Sequence, residues 1–576
     1  MRIRHFGLLP AVAVACGGGP APSSPHRDPI SIATTQTDRV LGSLSAVPLG
    51  DGTAELDKAI ATYYELAKSK RTYIQTDKPL YQPGETIWLR ADVRATGTML
   101  GGQPIGMTLQ LASPRGAIVA QKRVLAQNGI ARNDFKLPAE LAGGEYTIAL
   151  AADDGTRDAK RIVINTYEAP RLQKSLEFLR KAYGEGDPVS AAIEIKRATG
   201  EPFADRAVVG VVTIDDVEIQ RLAIKTAGDG KATARFRLPD KLARGDGLLT
   251  VLVEDAGVTE SIQKRIPIVM KSLQFSTFPE GGDLVDGVPG RIYFLAKTLI
   301  GKPADVEGKV VDDRGNAVAE FQSIHDGMGR FELTPVADRR YQVVITKPAG
   351  IAARFDVPAA KPGGCVIRSV DQRAPDVLRI AAICNTSRRL LIEAVVREAR
   401  LGSGGFDAVA GQPTIVEIPV GSDDVAARQG VARVTLFGSR GDRVGDPLAE
   451  RLVYFGMGAD LRIELTADRT AYSPRDPVTL RIRTTDVTGK PVKANVGVAV
   501  VDETVLAFAD DKSARILARM YLEPELGATA DDPIEEPNFY FGDKPEAAAA
   551  LDALLATRGY RRFAWRPLVG GLGGSR

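Results

Sequence analysis

Histidine and cysteine are the scarcest chemically reactive residues of this sequence. Its 576 residues contain three of each, and two histidines, His5 and His26, lie near the N-terminus, ahead of any expected fold. Zinc sites need clusters of His and Cys, and none is visible in the sequence. A nucleophile–histidine pair would depend on His325 alone. The sequence therefore predicts no metal site, no cofactor and no catalytic residue.

Other sequence motifs of enzymes and nucleic-acid-binding proteins are also lacking. No phosphate-binding Gly-x-x-x-x-Gly-Lys loop, Rossmann fingerprint or Gly-x-Ser-x-Gly elbow occurs. His325 lies in a glycine-rich, polar stretch that is typical of a turn between strands, and we expect it to face solvent. The net charge is +3, from 75 basic and 72 acidic residues without a long basic block, so no nucleic-acid partner is predicted. We expect a protein that is not an enzyme.

The N-terminus is typical of an exported bacterial protein. A short basic start precedes an apolar run from Phe6 to Ala15, which is too short to span a bilayer. The run ends in Ala-Val-Ala-Cys16, which resembles a lipobox and predicts lipidation of Cys16, with residues 1–16 as the lipoprotein signal peptide. Plain secretion and an ordinary structural segment are the alternatives. The lipoprotein interpretation places the chain at the cell envelope, held to a membrane by its lipid.

The two remaining cysteines, Cys365 and Cys384, have a separation that suits neighbouring strands. Exported proteins fold in compartments where disulfides persist. The sequence therefore predicts a disulfide between them, and two buried free thiols are the alternative.

Alternation of apolar and polar residues with a period of two dominates the chain after residue 70. Ile87, Leu89, Ala91 and Val93 alternate with polar residues, as do Val478, Leu480 and Ile482 further on. This is the pattern of half-buried antiparallel strands, and frequent turn residues favour sandwiches. Helical spacing occurs only around residues 54–70 and 545–557. The predicted fold is all-β: tandem antiparallel immunoglobulin- or fibronectin-like sandwiches, with a short N-terminal helix and a small helical segment near the C-terminus.

An internal repeat sets the size of the predicted domains. Asp77, Tyr81 and Pro83 recur 391 residues later, and a Gly-x-Pro turn begins at Gly200, Gly301 and Gly489. These spacings give a unit of about 100 residues, the size of one sandwich. We therefore predict the following division: signal peptide 1–16, tether and helix 17–69, sandwiches 70–168, 169–270, 271–357 and 358–456, and a last sandwich with an insertion and a C-terminal helix, 457–576.

Two segments resemble the alpha-2-macroglobulin superfamily. The stretch from Arg71 to Val93 is similar to the opening of the second macroglobulin domain (MG2), and residues 496–508 are similar to the strand before the bait region. The matching residues are Tyr73, Gln75, Thr76, Asp77, Lys78, Pro79, Tyr81, Pro83, Gly84, Val501, Asp502, Val505 and Leu506. The resemblance implies macroglobulin-type sandwiches and a protein that interacts with proteases.

The sequence departs from the covalent members of that family. Their thioester follows the pattern Cys-Gly-Glu-Gln, and no cysteine here precedes Gly-Glu-Gln. The resemblance also implies a bait-like segment at 508–545, where Lys512, Arg515, Arg519 and Tyr521 could offer several cleavage specificities. An ordinary connecting segment with a helix at 512–521 is the alternative.

Two functions follow from these expectations. The first is a non-covalent endopeptidase inhibitor of the cell envelope, with proteases as partners. The second is a non-catalytic surface scaffold whose sandwiches bind another envelope protein. Cleavage clustered in 508–545 would favour the first, and cleavage at domain linkers the second.

Overall fold

The fold is built almost entirely from antiparallel strands, as the alternating pattern predicts. The computed structural model describes residues 35–66, 68–166, 171–197, 199–270, 272–370, 377–419, 428–440, 443–456, 461–473, 475–486, 488–501, 515–529, 532–542 and 544–560. The strands form four successive domains, here D1 to D4, of which D1, D2 and D4 are two-sheet sandwiches and D3 is a single seven-stranded sheet. A two-stranded sheet and a largely helical segment follow. None of the described helices is long and apolar enough to cross a membrane. The all-β tandem prediction is confirmed.

The N-terminal elements pack against D4 rather than forming a separate unit. They are α1 (Gln36–Ser43), β1 (Ala46–Val47) and α2 (Ala54–Leu66). Thr35 caps α1 by accepting a hydrogen bond from the backbone N–H of Asp38, whose carboxylate accepts one from the backbone N–H of Thr35 in return. Leu56 and Ile60 of α2 are buried, which agrees with the helical spacing of the sequence.

D1, residues 70–164, is a sandwich of a three-stranded and a five-stranded sheet. The sheet orders are β2-β4-β7 and β3-β9-β8-β5-β6. The inward-facing residues of both sheets, including Ile87, Leu109 and Ile148, form one closed core. The strands are β2 (Lys70–Thr76), β3 (Leu80–Tyr81), β4 (Thr86–Ala95), β5 (Ile105–Ala112), β6 (Ile118–Ala126), β7 (Ile130–Lys136), β8 (Gly144–Ala152) and β9 (Arg157–Ile164).

D2, residues 172–266, repeats this plan with sheets of three and four strands. The orders are β10-β11-β14 and β13-β12-β15-β16. Its core is separate from that of D1, so each unit of about 100 residues folds around its own apolar interior. The strands are β10 (Leu172–Phe178), β11 (Pro188–Arg197), β12 (Ala207–Ile214), β13 (Val217–Lys225), β14 (Lys231–Arg237), β15 (Gly247–Asp255) and β16 (Val258–Ile266).

D3, residues 274–356, is one seven-stranded sheet, β17-β18-β21-β20-β19-β22-β23. Strand β20 pairs with β19 and then, through Ser323 and His325, with β21, so it joins the two halves of the sheet. Aromatic rings such as Phe275, Phe294 and Phe321 fill the interior. The strands are β17 (Gln274–Pro279), β18 (Gly290–Lys297), β19 (Glu307–Asp312), β20 (Ala317–His325), β21 (Met328–Leu333), β22 (Tyr341–Lys347) and β23 (Arg354–Asp356).

D4, residues 365–455, has two four-stranded sheets, β1-β28-β25-β24 and β27-β26-β29-β30. Strand β1 adds to the edge of the first sheet in parallel with β28, which ties the N-terminal segment to this domain. The strands are β24 (Cys365–Ser369), β25 (Val377–Cys384), β26 (Arg388–Val396), β27 (Ala399–Ala408), β28 (Pro413–Pro419), β29 (Gly430–Arg440) and β30 (Arg443–Phe455).

The internal repeat corresponds to identical hydrogen bonds. In D1 the Tyr81 hydroxyl donates to Asp77 Oδ1 at 2.5 Å, and the Trp88 backbone N–H donates to the same oxygen at 2.9 Å. In the second copy Tyr472 donates to Asp468 at 2.5 Å, and the Thr479 N–H lies 3.0 Å from that oxygen. The predicted repeat is therefore confirmed at the level of individual bonds.

A third copy of this tyrosine corner occurs in D2, where the sequence motif is not visible. The buried Tyr183 accepts from the Arg180 N–H at 3.1 Å, but its hydroxyl donates to the carbonyl of Ser190 because Leu179 stands where D1 has Asp77. A basic residue three positions earlier lies over the tyrosine ring in all three copies, at 5.1, 5.4 and 5.7 Å. That basic residue is the signal that could have revealed the third copy.

The Gly-x-Pro turns also form a repeated structure. Gly200, Gly301 and Gly489 have φ values of 84°, 81° and 85°, a left-handed conformation that glycine adopts without a Cβ clash. After each turn the proline forms a bridge to the preceding strand, at Lys196–Pro202, Lys297–Pro303 and Thr485–Pro491. The predicted turns are confirmed, and each closes a short hairpin.

We expect the tyrosine corner to stabilise D1 but not the second copy. Replacing Tyr81 with Phe removes the hydroxyl from a fully buried side chain and should cost about 1–2 kcal/mol. Replacing Tyr472 with Phe removes the same bond from an exposed corner and should produce no measurable change. Calorimetry of both variants checks this. Equal losses of stability in the two variants would show that the effect of the hydroxyl does not depend on burial.

A two-stranded sheet, β31 (Arg462–Ala467) and β32 (Leu480–Thr485), is the only ladder among the described residues of the predicted last domain, 457–576. Residues 492–500 follow it without strand pairing. The chain then enters a segment, residues 515–560, that we call the C-terminal segment. It includes a π-helical turn (Ala518–Leu522), a 3-10 turn (Phe539–Phe541) and helix α3 (Ala547–Thr557).

Candidate functional site

The predicted bait residues lie at the start of the C-terminal segment. Lys512 falls outside the described residues, as does the predicted lipidation site Cys16. Arg515 is exposed, whereas Arg519 and Tyr521 belong to the π-helical turn and are half-buried. The structure thus brings two of the four residues together in a docked turn and places a third at its exposed entrance.

The π-helical turn is held against D1 by charged side chains. Arg519 pairs with Asp158 of β9 in D1 and with Glu523 at 3.0 Å. Burial alone would lower the pKa of Arg519, but the carboxylates of Asp158 and Glu523 outweigh it and raise that pKa above its usual value. In return, Arg71 of D1 donates to the Met520 carbonyl and pairs with Glu525.

The same turn also contacts D4. The guanidinium of Arg397 lies 5.4 Å from the centre of the Tyr521 ring, within cation–π distance. Arg397 itself donates to the carbonyls of Gln429 in D4 and Thr96 in D1, at 2.8 and 3.1 Å. The start of the C-terminal segment therefore lies at the junction of D1 and D4.

The end of the segment docks elsewhere, between D3 and D4. Leu551, Leu554 and Leu555 of α3 are buried, as their spacing in the sequence indicates. They belong to an apolar cluster that includes Met328 of D3 and Leu452 of D4. At about 1.5–3 kcal/mol for each fully buried large apolar side chain, this contact holds α3 firmly.

A charged cluster lies beneath α3. Arg451 of D4 forms an ion pair with Glu280 at 3.0 Å, and it donates to the Tyr293 hydroxyl at 3.1 Å and to Asp552 of α3. Arg330 reaches Asp552 at 3.3 Å. Burial alone would raise the pKa of Asp552, but the charges of Arg451, Arg291 and Arg330 outweigh it and lower that pKa. Asp552 is therefore ionised and fixes α3 to both domains.

Helix α1 supplies a second carboxylate to the same region. Asp38 pairs with Arg291 of D3 and with Arg368 of D4, the latter at 3.0 Å, and Arg368 also pairs with Glu332. Burial would raise the pKa of Asp38, but the charges of Arg291 and Arg368 lower it to about 2. The N-terminal and C-terminal helices are thus both anchored to buried arginines at the D3–D4 junction.

This arrangement predicts an acid-sensitive contact at α1. Because the folded pKa of Asp38 is about 2, below its ordinary value, its stabilising effect is complete above about pH 4 and is lost as the pH falls towards 2. We expect amides of α1 to exchange faster with falling pH in that window, after correction for intrinsic rates. In Asp38→Asn the protection should be low already at pH 5. Unchanged protection in that variant would contradict the role of Asp38.

His325 was expected to face solvent, and that expectation is wrong. Its side chain is only 12% exposed, and its ring stacks on Phe539 with 3.8 Å between ring centres. Burial by the C-terminal segment, the largest influence, lowers the pKa of His325 below its ordinary value. The turn glycines are present as predicted, but the sequence of β20 could not show that a distant segment covers His325.

Among the described residues, no group of three or more His, Cys, Asp or Glu side chains could hold a metal ion. Cys365 and Cys384 face each other on β24 and β25 and form a disulfide, with both residues buried in the D4 core. The site is therefore a docking surface for the C-terminal segment, held by charge pairs and apolar packing.

Sequence reasoning missed the buried arginines Arg71, Arg291 and Arg451. On β18, Ile292 and Phe294 face the core of D3, and strict alternation puts Arg291 and Tyr293 on the opposite face of the strand. That face is instead covered, and β18 is buried on both sides. Large aromatic residues on the supposed solvent face, such as Tyr293, are the signal that another element lies over it.

Comparison with known proteins agrees with this architecture. Residues 71–163 match the family model of the MG2 domain, which coincides with D1. An alpha-2-macroglobulin of Ralstonia nicotianae is 23% identical over 565 residues, covering 85% of this chain and 34% of the relative. The chain thus spans about a third of the length of that relative.

Solved structures give similar coverage. Trypsin-activated alpha-2-macroglobulin from Escherichia coli is 15% identical and covers 73% of this chain and 33% of its own, with a TM-score of 0.43. Salmonella alpha-2-macroglobulin reacted with methylamine is 14% identical, covering 72% of this chain and 32% of its own, with a TM-score of 0.31.

Tandem antiparallel sandwiches beginning with an MG2 domain define a macroglobulin-domain protein. The predicted resemblance is confirmed to this extent: D1 matches the MG2 domain, and the chain is similar to a bacterial alpha-2-macroglobulin over most of its length.

Proposed function

We propose that this chain is an alpha-2-macroglobulin-like protein of the cell envelope that inhibits endopeptidases non-covalently and has no catalytic site. Similarity to a bacterial alpha-2-macroglobulin supports a protease as the partner. Within these 576 residues no cysteine precedes Gly-Glu-Gln, and both core cysteines are joined in a disulfide. These residues therefore offer no thioester, and inhibition would depend on a change of shape.

The observation that carries the proposal is the two-point attachment of the C-terminal segment. Its start is bound to D1 and D4 through Arg519 and Tyr521, and its end to D3 and D4 through α3. A cut between the two attachment points would allow each end to separate independently. Cleavage within 522–545 would therefore uncouple the D1 attachment from the D3 attachment, as inhibition by shape change requires.

A specific observation favours the scaffold as the second candidate. Arg519 and Tyr521 lie in a helical turn with buried neighbours Met520 and Leu522, so a protease reaches them only after local unfolding. Only Arg515, of the described bait residues, is exposed. In the scaffold interpretation the segment joins the sandwiches permanently and another envelope protein is the partner.

The N-terminal anchor is part of the proposal. Lipidated Cys16 would hold the chain to a membrane through the Gly/Pro/Ser-rich residues that follow it. Metabolic labelling with a fatty-acid analogue tests this step, because Cys16→Ser should abolish labelling while the chain is still exported.

Limited proteolysis of residues 17–576 tests the function. Trypsin, an elastase and an acidic-residue protease are applied separately, cut sites are mapped by mass, and shape is followed by small-angle scattering. If all three cut within 508–545 and the particle changes shape and retains the protease, the inhibitor is supported. Cuts confined to domain linkers, with unchanged shape, would support the scaffold.

A variant that lacks two tryptic sites serves as a matched control for the proteolysis. Lys512→Gln with Arg515→Gln removes tryptic sites without touching the Arg519 contacts. It should remove the tryptic cuts at 512 and 515 and leave the elastase-induced change intact. Loss of the elastase-induced change would indicate that the variant disturbs the segment itself rather than its cleavage.

A further inference from the structure

Helix α2 packs on the face of a D4 sheet that points away from the D4 core. On β26, Ile392 faces that core, so Leu391 and Glu393 lie on the opposite face of the strand. Leu56 and Ile60 of α2 are buried in an apolar cluster with Leu391. A glutamate side chain therefore lies on a surface that an amphipathic helix covers with apolar residues.

The carboxyl group of Glu393 is buried without a partner. The residue is only 1% exposed. Among the residues that the structure describes, neither of its side-chain oxygens takes part in a hydrogen bond. An ionised carboxylate in such a position loses its hydration without compensation, so a buried carboxyl of this kind takes up a proton instead.

The charged groups on one side of Glu393 already satisfy each other. Ser403 of β27 lies directly opposite Glu393 and donates to Asp57 Oδ1 of α2 at 2.8 Å. Arg400 of β27 forms an ion pair with the other oxygen of Asp57 at 2.9 Å. Asp57 thus engages the nearest guanidinium and brings a second carboxylate close to Glu393.

The other side of Glu393 offers no counterion either. Thr435 of β29 is its partner across the sheet, and the Thr435 hydroxyl donates to Glu450 of β30 at 3.4 Å. Arg433 of β29 pairs with Glu450 at 3.8 Å. Tyr64 of α2 also faces this region, and burial raises its pKa, so it stays neutral. The nearby guanidiniums on β27 and β29 are therefore each engaged by a carboxylate other than that of Glu393.

We propose that Glu393 keeps a proton at neutral pH and that loss of this proton releases α2 from D4. A neutral carboxyl group fits beneath the helix beside Asp57, whereas ionisation would place two carboxylates next to each other in a buried site. Since β2 of D1 begins at Lys70, shortly after α2 ends, the proton would control how D1 is tied to D4. This device does not depend on a protease partner.

The direction of the pH effect follows from the surroundings of the carboxyl group. Burial, the largest influence, and the carboxylate of Asp57 raise the pKa of Glu393 from 4.5 to about 9, and the charge of Arg400 lowers it by less. The stabilising effect of the proton is therefore complete below about pH 4.5, falls as the pH rises and is lost above about pH 9. Between these limits the equilibrium constant for undocking of α2 should rise about tenfold per pH unit.

Hydrogen exchange of the α2 amides in residues 17–576 at pH 6, 7 and 8, corrected for intrinsic rates, tests the proposal. We expect the opening constant of the wild-type helix to rise about tenfold per unit. Glu393→Gln has nearly the same size and cannot ionise, so its opening constant should be lower at pH 8 and independent of pH. Glu55→Gln is the matched control, because Glu55 is exposed on the same helix, and it should keep the wild-type slope.

Infrared spectroscopy detects the proton directly and does not require the variant to fold. The wild-type protein should show the carbonyl stretch of a protonated carboxylic acid at pH 7, and this band should disappear with a midpoint near pH 9. Absence of the band at pH 7, a band that folded Glu393→Gln retains, or equal pH slopes of exchange in wild type and Glu393→Gln would each overturn the proposal. Neither measurement involves a protease, so failure here and failure of the inhibitor proposal are observed separately.

Discussion

Replacing Arg451 with Met is expected to detach α3 and to cost about 3 kcal/mol of stability at the D3–D4 junction. The guanidinium of Arg451 is almost fully buried and contacts Glu280, Tyr293 and Asp552. Removing one partner of a buried charge cluster leaves the others uncompensated, which costs about 3–5 kcal/mol. The lower figure applies because Glu280 keeps a bond from the Ser369 N–H at 3.1 Å.

The measurement is native-state hydrogen exchange. At about 1.4 kcal/mol for each factor of ten, amides of α3 should exchange roughly 100-fold faster in Arg451→Met. Arg440→Met is the control, since Arg440 pairs with Asp446 in solvent, and it should leave α3 unchanged.

A compensated variant tests the cause. Adding Glu280→Gln and Asp552→Asn to Arg451→Met removes the uncompensated charges, so part of the protection should return. If the triple variant exchanges as fast as Arg451→Met, lost packing of the guanidinium over the Tyr293 ring, 4.9 Å away, would be the larger effect.

The Arg451 cluster also explains why the domains were easier to predict from the sequence than the contacts between domains. Period-two alternation depends on neighbours along one strand, so Ile87 to Val93 reveal β4 directly. The repeated tyrosine corner and Gly-x-Pro turns depend on residues a few positions apart, and both were predictable for the same reason.

Contacts between segments that are distant in the chain are harder to predict from the sequence. Arg519 meets Asp158 across 361 positions, and Arg451 meets Asp552 across 101. Nothing near Arg519 indicates a carboxylate on β9, so the sequence alone supports an exposed bait as readily as a docked turn. Residues 496–500 resemble the strand before the bait region, but among the described residues no strand pairs with them.

The disulfide is expected to have the next largest effect on stability. Cys365 and Cys384 are directly opposite on neighbouring strands and 19 residues apart in the chain. Closing a loop of that length removes conformational entropy from the unfolded chain worth about 3 kcal/mol. Reduction should therefore lower the free energy of unfolding of D4 by about that amount and leave D1, which has no cysteine, unchanged.

Calorimetry with and without reductant measures this difference, and Cys365→Ala with Cys384→Ala is the control. Both positions lie in the apolar core of D4, so the alanine variant should resemble the reduced protein and should not respond to reductant. If the oxidised protein and the alanine variant unfold alike, the unfolded state is not restrained by the bond, and D4 depends on the packing of its two sheets alone. A reductant effect confined to D4 would show that the disulfide stabilises the domain to which both terminal helices attach, and that an oxidising compartment supports the docked state.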